Sequence, residues 1–429
     1  MKKYCVYIFK KGDKKGQSCN DDVLSNSTFC KRHIKDHKVT KIKELPKTII
    51  HVNKLVTKKL QEDALKDKIL NLDTNNENKA IILKHYNNMK RTDSNSTEYY
   101  KNQLFVDCSL SYPWDIYYNI NDVAQQVGII KFLNYIKIRL DEEIYGMTSV
   151  KNEILNVVCK FITNPHSNRN NIALYGPAGV AKSKFIKILS EILGIPLKTI
   201  SLGGIKDSSF FLGHGYVYVE SGPGKILQNV IDSKISNPIM YFDELDKVSE
   251  TDNGKDIYSF LCYLTDPTQN NEFSDHYFYG MKFDLSKIFY VFTFNDINKI
   301  DKILLDRLNV IQVQVPNIND ILCILKNHCI PEILNNIGIK HKITINDIDL
   351  KHILNFCKVD KQITSGIRQY YRIIEKIFLE LNKNILLEKF ILSHLESNEL
   401  DHLIFLDYFN IIKEQLVNEE SDALHHFYI

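Results

Sequence analysis

The chain has 429 residues, 44% of them hydrophobic and 25% charged, with a formal net charge of +3. That length suggests two to four domains, and so ordinary a composition excludes wholesale disorder. No run reaches the ~18 apolar residues of a membrane helix, and the stretch 4–9, interrupted by Cys5, is too short for a signal peptide. A soluble, intracellular protein with no membrane partner is expected. Nine cysteines, an odd number, argue for reduced thiols rather than a disulfide framework.

Charge is unevenly placed. Residues 1–60 carry 16 Lys/Arg against 5 Asp/Glu, leaving the remainder near −8. Such an asymmetry points to an acidic partner for the N-terminus, nucleic acid being the usual one. Residues 1–37 read as a separate unit in which Cys5, Cys19, Cys30 and His33 form a Cys₃His set. That set suits tetrahedral Zn²⁺, and so short a segment would need a metal staple to fold. The wide first spacing leaves free thiols in a loose tail as the alternative. The segment resembles the small N-terminal Cys/His modules common in large DNA viruses.

Residues 38–58 form a basic linker and 59–139 a helical arm. In the arm, apolar residues recur at helical spacing (Leu65, Ile69, Leu72, then Ile82, Tyr86, Met89), and NLDTNNENK divides them into a hairpin of two helices. Trp114 reads as a packing residue. A single helix is expected over 140–164, ended by Pro165. Residues 140–316 then alternate strand and helix patterns, with strands at 172–175, 197–201, 239–242, 288–294 and 310–315 and a helix at 225–235. That alternation predicts an α/β fold, a parallel sheet with flanking helices. After Pro316, helical patterns at 319–329, 331–337, 348–356 and 366–382 make a small lid, 317–390, followed by a helical tail, 391–429.

The chemistry concentrates in the α/β part. Residues 171–183, NIALYGPAGVAKS, run from an apolar strand through Gly176, Pro177, Ala178, Gly179, Val180 and Ala181 to Lys182 and Ser183, which open a helix. This is the layout of a phosphate-binding loop, whose N–H groups point at phosphates while the lysine adds a cation and the serine hydroxyl a Mg²⁺ ligand. The usual glycine before the lysine is Ala181 here. A Cβ held at φ > 0 there costs roughly 1–2 kcal/mol. A second apolar run, PIMYFDELDK, delivers Asp243 as a Mg²⁺ carboxylate and Glu244 as a base for water. A third, SKIFYVFTFND, ends in Asn295, placed to orient that water.

The order and wording of these motifs resemble the AAA+ ATPase module of the Lon protease family. The likeness extends to SLGGIKDSSFFLGHGYVYVESGPGKILQNV, LTDPTQNNEFSDHYF, LLDRLNVI, SGIRQYYRIIEKI and the Pro-Trp element SYPW, roughly residues 60–390. The resemblance implies an AAA+ P-loop fold with a helical lid, ATP and Mg²⁺ as cofactors, and a homo-oligomeric ring, a hexamer, acting on polypeptide. It makes Asn295 sensor 1, Arg307 a finger reaching a neighbouring subunit's nucleotide, and Arg368 sensor 2. Tyr145 and Gly146 would lie by the adenine, and Tyr218 and Val219 would grip translocating chain.

Full Lon-type proteases continue past the lid into a Ser–Lys peptidase domain, and only about 60 residues follow Arg368. An ATP-driven unfoldase or remodeller without peptidase activity is therefore expected, working alone or with a separate protease. The alternative is a nucleotide-binding scaffold or nucleic-acid-associated switch, slowed by Ala181 and targeted by the basic zinc module.

Overall fold

The computed structural model describes residues 58–165, 167, 170–215, 221–249, 251–357, 366–387 and 399–426, with side chains from Ala64 to Gln415. Two units are distinguished, Met1–Leu65 and Lys66–Ile429. Cys5, Cys19, Cys30, His33, Tyr218 and Val219 all lie outside the described residues.

The described chain begins with three helices, α1 (Lys58–Leu70), α2 (Asn76–Arg91) and α3 (Thr97–Ser111). Asn75 caps α2 and Ser96 caps α3, each side chain accepting a bond from an N–H of the first turn. Helices α2 and α3 pack together as a pair. His85 stacks on Phe105 with ring centroids 3.8 Å apart and bonds Asn102 at 2.8 Å. Helix α3 escapes a periodicity reading because Asn102 and Ser109 share its buried face with Phe105 and Val106. Trp114 packs on Tyr112 and Phe283, while its indole N–H donates to the Ser109 carbonyl.

Helices α4 (Ile120–Val127), α5 (Ile129–Glu143) and α6 (Thr148–Thr163) follow. The single helix expected over 140–164 is thus two. Gly146 and Met147 take φ of +68° and +53°, and successive left-handed residues cannot continue a right-handed helix. Buried Lys151 bridges the break, donating to the Ile144 carbonyl at 2.6 Å and to Asp141 at 2.8 Å.

The α/β part comprises β1 (Asn171–Tyr175), α7 (Lys182–Leu193), β2 (Leu197–Ser201), α8 (Ser209–Leu212), α9 (Lys225–Ser233), β3 (Ile239–Asp243), α10 (Asp252–Thr265), β4 (Phe289–Phe294), α11 (Lys302–Leu305) and β5 (Asn309–Gln312). All pairings are parallel and the order is β2-β3-β4-β1-β5. Every strand predicted from its apolar run is present. Strand β4 is buried along its whole length, as a central parallel strand covered on both faces must be. In-register pairing brings Tyr175, Ser201, Asp243 and Phe294 to one edge of the sheet, where parallel α/β sheets bind ligands.

The remaining helices are α12 (Ile318–Ile324), α13 (Ile330–Ile337), α14 (Asp347–Phe356), α15 (Ile367–Leu386) and α16 (His402–His426), with a wide π turn, Leu325–Cys329, joining α12 to α13. Packing does not follow the expected division at residue 390. Leu400, Phe405, Phe409 and Ile412 share one core with Ile333, Leu350, Ile353, Tyr370 and Ile374 of the lid. Among the described residues no helix is long and apolar enough to cross a membrane.

Candidate functional site

Residues 176–181 link the carboxyl end of β1 to the first turn of α7. Gly176 continues the ladder by donating to the Phe294 carbonyl, and a Cβ on it would sit 2.3 Å from the Val313 carbonyl oxygen. Gly179 turns at φ +79°, and Ala181 takes φ +64°, ψ +23°, so the alanine does occupy a left-handed position. Among the described residues, the N–H groups of Gly179, Val180, Ala181, Lys182 and Ser183 have no hydrogen-bond partner. A run of open donors at the N-terminus of a 12-residue helix fits an anion such as phosphate.

Lys182 is buried and its ammonium is fully used. It donates to the carbonyls of Gly176 (2.6 Å) and Pro177 (2.9 Å) and to Asn295 Oδ1 (2.9 Å). Burial lowers its pKa and the nearby Arg368 adds to the fall, against the pull of Asp243 and Asp246.

Ser183 Oγ lies 3.5 Å from Asp243 Oδ2 and accepts from the Tyr241 hydroxyl at 2.8 Å. Thr293 Oγ donates to Asp243 Oδ1 at 2.5 Å and sits 3.0 Å from the Tyr241 hydroxyl. One hydroxyl and one carboxylate, both held by oxygen donors, are the hard-ligand pair that Mg²⁺ prefers. Tyr241 and Thr293 complete this network, and the motif reading overlooks them. A visible signal exists: each lies two residues before a motif position, Asp243 or Asn295, and so on the same strand face.

Glu244 takes φ +59°, ψ +44°, a strained conformation for a side chain-bearing residue. Its carboxylate accepts from Ser201 Oγ at 3.2 Å. A Cβ on Gly203 would meet Glu244 Oε2 at 2.6 Å, so a side chain there would displace the carboxylate. The carboxylate is therefore held to the β2 side of the loop.

The lid closes over the same loop. Ile367 N–H donates to the Gly179 carbonyl at 3.0 Å, and a Cβ on Gly366 would come within 2.2 Å of the Ala178 carbonyl oxygen. This contact sets Arg368 beside the loop, its Cβ 3.5 Å from where a Gly179 Cβ would stand. Lys184 of α7 pairs with Glu332 of α13 at 2.8 Å. Tyr145 lies in the α5–α6 break, where the neighbouring Cys323 of α12, and after it Asp320, raise its phenol pKa. Arg307 stands apart from the phosphate loop. It follows α11, and its carbonyl accepts from Asn171 at the start of β1, five residues before Gly176.

Replacing Ala181 with glycine is expected to relieve about 1 kcal/mol of left-handed strain. The unfolding midpoint should rise and ATP turnover should stay equal or increase; a large loss of turnover would mean that the loop is rebuilt around alanine.

Residues 172–315 match the family described as AAA, the ATPase family associated with various cellular activities. A Lon protease homolog of Acanthamoeba polyphaga mimivirus is 33% identical over 311 residues, 71% of this chain and 30% of that protein. The Lon protease of Clostridium beijerinckii is 31% identical over 291 residues, 68% of this chain and 35% of that protein. The mitochondrial Lon protease homolog of Candida dubliniensis is 32% identical over 287 residues, 66% of this chain and 25% of that protein. The chain spans about a third of the length of the curated relatives it matches. With its parallel five-stranded sheet, this chain carries an AAA ATPase domain and is related to the Lon proteases.

Proposed function

We propose that this chain is an ATP-driven motor that remodels or unfolds polypeptide as a homo-oligomeric ring. The observation that carries the reading is the convergence of Lys182, Ser183, Asp243 and Asn295 on the open N–H groups of the loop, with Arg307 at the opposite end of β1. Lys182 balances phosphate charge, Glu244 takes the proton of the attacking water, and Asn295 and Arg368 orient the reacting groups. Ser183 and Asp243 would hold Mg²⁺, which would supply charge neutralisation on the phosphates. Because Glu244 rests against Ser201, its carboxylate must turn toward the loop before it can act.

Tyr218 and Val219 would contact the polypeptide. An exposed aromatic–aliphatic pair grips by packing area, independent of sequence. Unfolded protein is expected to stimulate ATP turnover, and Tyr218→Ala should remove that stimulation while sparing basal turnover. Equal stimulation in the variant would dismiss the assignment, and stimulation by DNA alone would favour the nucleic-acid-associated switch.

Residues 1–37 would hold one Zn²⁺ through Cys5, Cys19, Cys30 and His33, a closed set with no open position for hydrolytic chemistry. The module would target the motor through its lysines. Metal analysis of the purified full chain should find about one zinc per chain, lost in Cys30→Ser; zinc content unchanged by that substitution would rule the site out.

A further inference from the structure

Arg307 is not free in the structure, and the way it is held is specific. Its Nη1 donates to Asp266 Oδ2 at 2.7 Å and to the Cys262 carbonyl at 3.3 Å. Both acceptors belong to the last turn of α10 and its C-cap. No hydrogen bond engages Nε or Nη2 among the described residues, and the side chain remains one-third exposed, at 33%. A carboxylate that neutralised the guanidinium fully would take two parallel bonds on one edge. Here a single nitrogen is anchored, and the Nε–Nη2 edge is left for another anion.

The anchor is itself rigid. Asp266 Oδ1 accepts from Thr268 N–H at 2.9 Å and Thr268 Oγ at 2.7 Å, and Oδ2 accepts from Gln269 Nε2 at 3.2 Å. The Thr268 bonds, then Arg307, hold this carboxyl at about 2, so it stays ionised throughout the working pH range. The backbone is tied at the same place: Asn171 Nδ2 donates to the carbonyls of Thr265 (2.9 Å) and Arg307 (3.3 Å). A long, flexible arginine is thereby given one orientation before any partner arrives, which lowers the entropy cost of meeting an anion.

We propose that Asp266 is the positioning residue of Arg307, holding Nη1 so that the Nε–Nη2 edge faces outward to the triphosphate on a second copy of this chain. The inference rests on the reading that Arg307 acts in trans. It assigns Asp266 no contact with the nucleotide.

The test uses the full chain with ATP as the probe, and reads steady-state turnover, binding of a fluorescent ATP analogue, and assembly by sedimentation. Asp266→Ala should lower kcat about 10- to 100-fold, the scale of an ångström-level misplacement, with KM, analogue binding and assembly unchanged. Asp266→Asn, which keeps the Thr268 bonds but loses the charge, should fall between Ala and the parent. In an Arg307→Ala background, Asp266→Ala should cause no further loss, an effect a merely structural role would not show. Full turnover in Asp266→Ala, or an equal added loss in the Arg307→Ala background, overturns the inference. If Asp266→Ala fails to assemble, an assembled Asp266→Asn with parental kcat overturns it equally. An Arg307→Ala chain that turns over at the parental rate removes the trans reading itself, whereas an inactive Arg307→Ala beside parental Asp266 variants removes only the role of Asp266.

Discussion

Glu244→Gln is expected to slow ATP hydrolysis about 10²- to 10⁴-fold, the usual worth of a positioned general base, and to leave nucleotide binding intact. The glutamine keeps the shape of the side chain and can still accept from Ser201 Oγ, as the carboxylate does at 3.2 Å. It cannot accept a proton from water. The left-handed backbone at Glu244 supports the choice of residue, since strain of this kind persists where surrounding structure imposes it and function requires the side chain's position. Quenched-flow measurement of a single turnover, with sedimentation of the ATP-bound chain, gives the readout. Slow hydrolysis with retained ATP and a stable assembly is expected; parental turnover would remove Glu244 from the proposed chemistry.

The second large effect is expected at Arg307. Arg307→Ala should reduce turnover about 10³-fold or more, the scale of an arginine supplied in trans to phosphoryl transfer, with binding of ATP to each chain unchanged. The register of the sheet carries the argument. Ile172 of β1 pairs with Asn309 of β5, so Arg307 lies level with the start of β1 while the phosphate loop begins beyond its end at Tyr175. Five residues of strand span about 16 Å, farther than an arginine reaches, and the Nη1 anchor on Asp266 fixes the side chain near Cys262. The residue therefore has no route to its own Lys182. Turnover per chain should fall on dilution below the assembly concentration, and mixing Arg307→Ala with Glu244→Gln chains should restore partial activity at sites pairing an intact Glu244 with a neighbour's intact Arg307. Full-rate hydrolysis by a strictly monomeric chain would refute the trans role.

These expectations draw unequally on sequence and structure. The α/β architecture and all five strands were readable in the linear text because parallel strands buried on both faces are short apolar runs bounded by polar turns. The phosphate loop, Asp243, Glu244 and Asn295 were readable for a related reason. Each sits at the end of such a run, where local chain order fixes its place at the sheet edge. The helix break at Gly146 and Met147 was less visible, since Met147 carries no local signal for a positive φ. Helix α3 was missed because its buried face is mixed in polarity.

Contacts between distant segments were of another kind. Tyr241 beside Ser183, Gly366 against Ala178, Ser201 under Glu244 and Asp266 on Arg307 join residues 41 to 188 positions apart. No periodicity or local propensity encodes such pairs. They arise when in-register strand pairing, the lid's backbone bond to Gly179 and the hydrogen bonds from Asn171 to the Thr265 and Arg307 carbonyls bring separate stretches together. The alphabet of the site was therefore local, written as strand ends and a glycine-rich turn. Its wiring was long-range: which carbonyls occupy Lys182, where Glu244 rests and which edge of Arg307 stays open follow from how the folded segments meet.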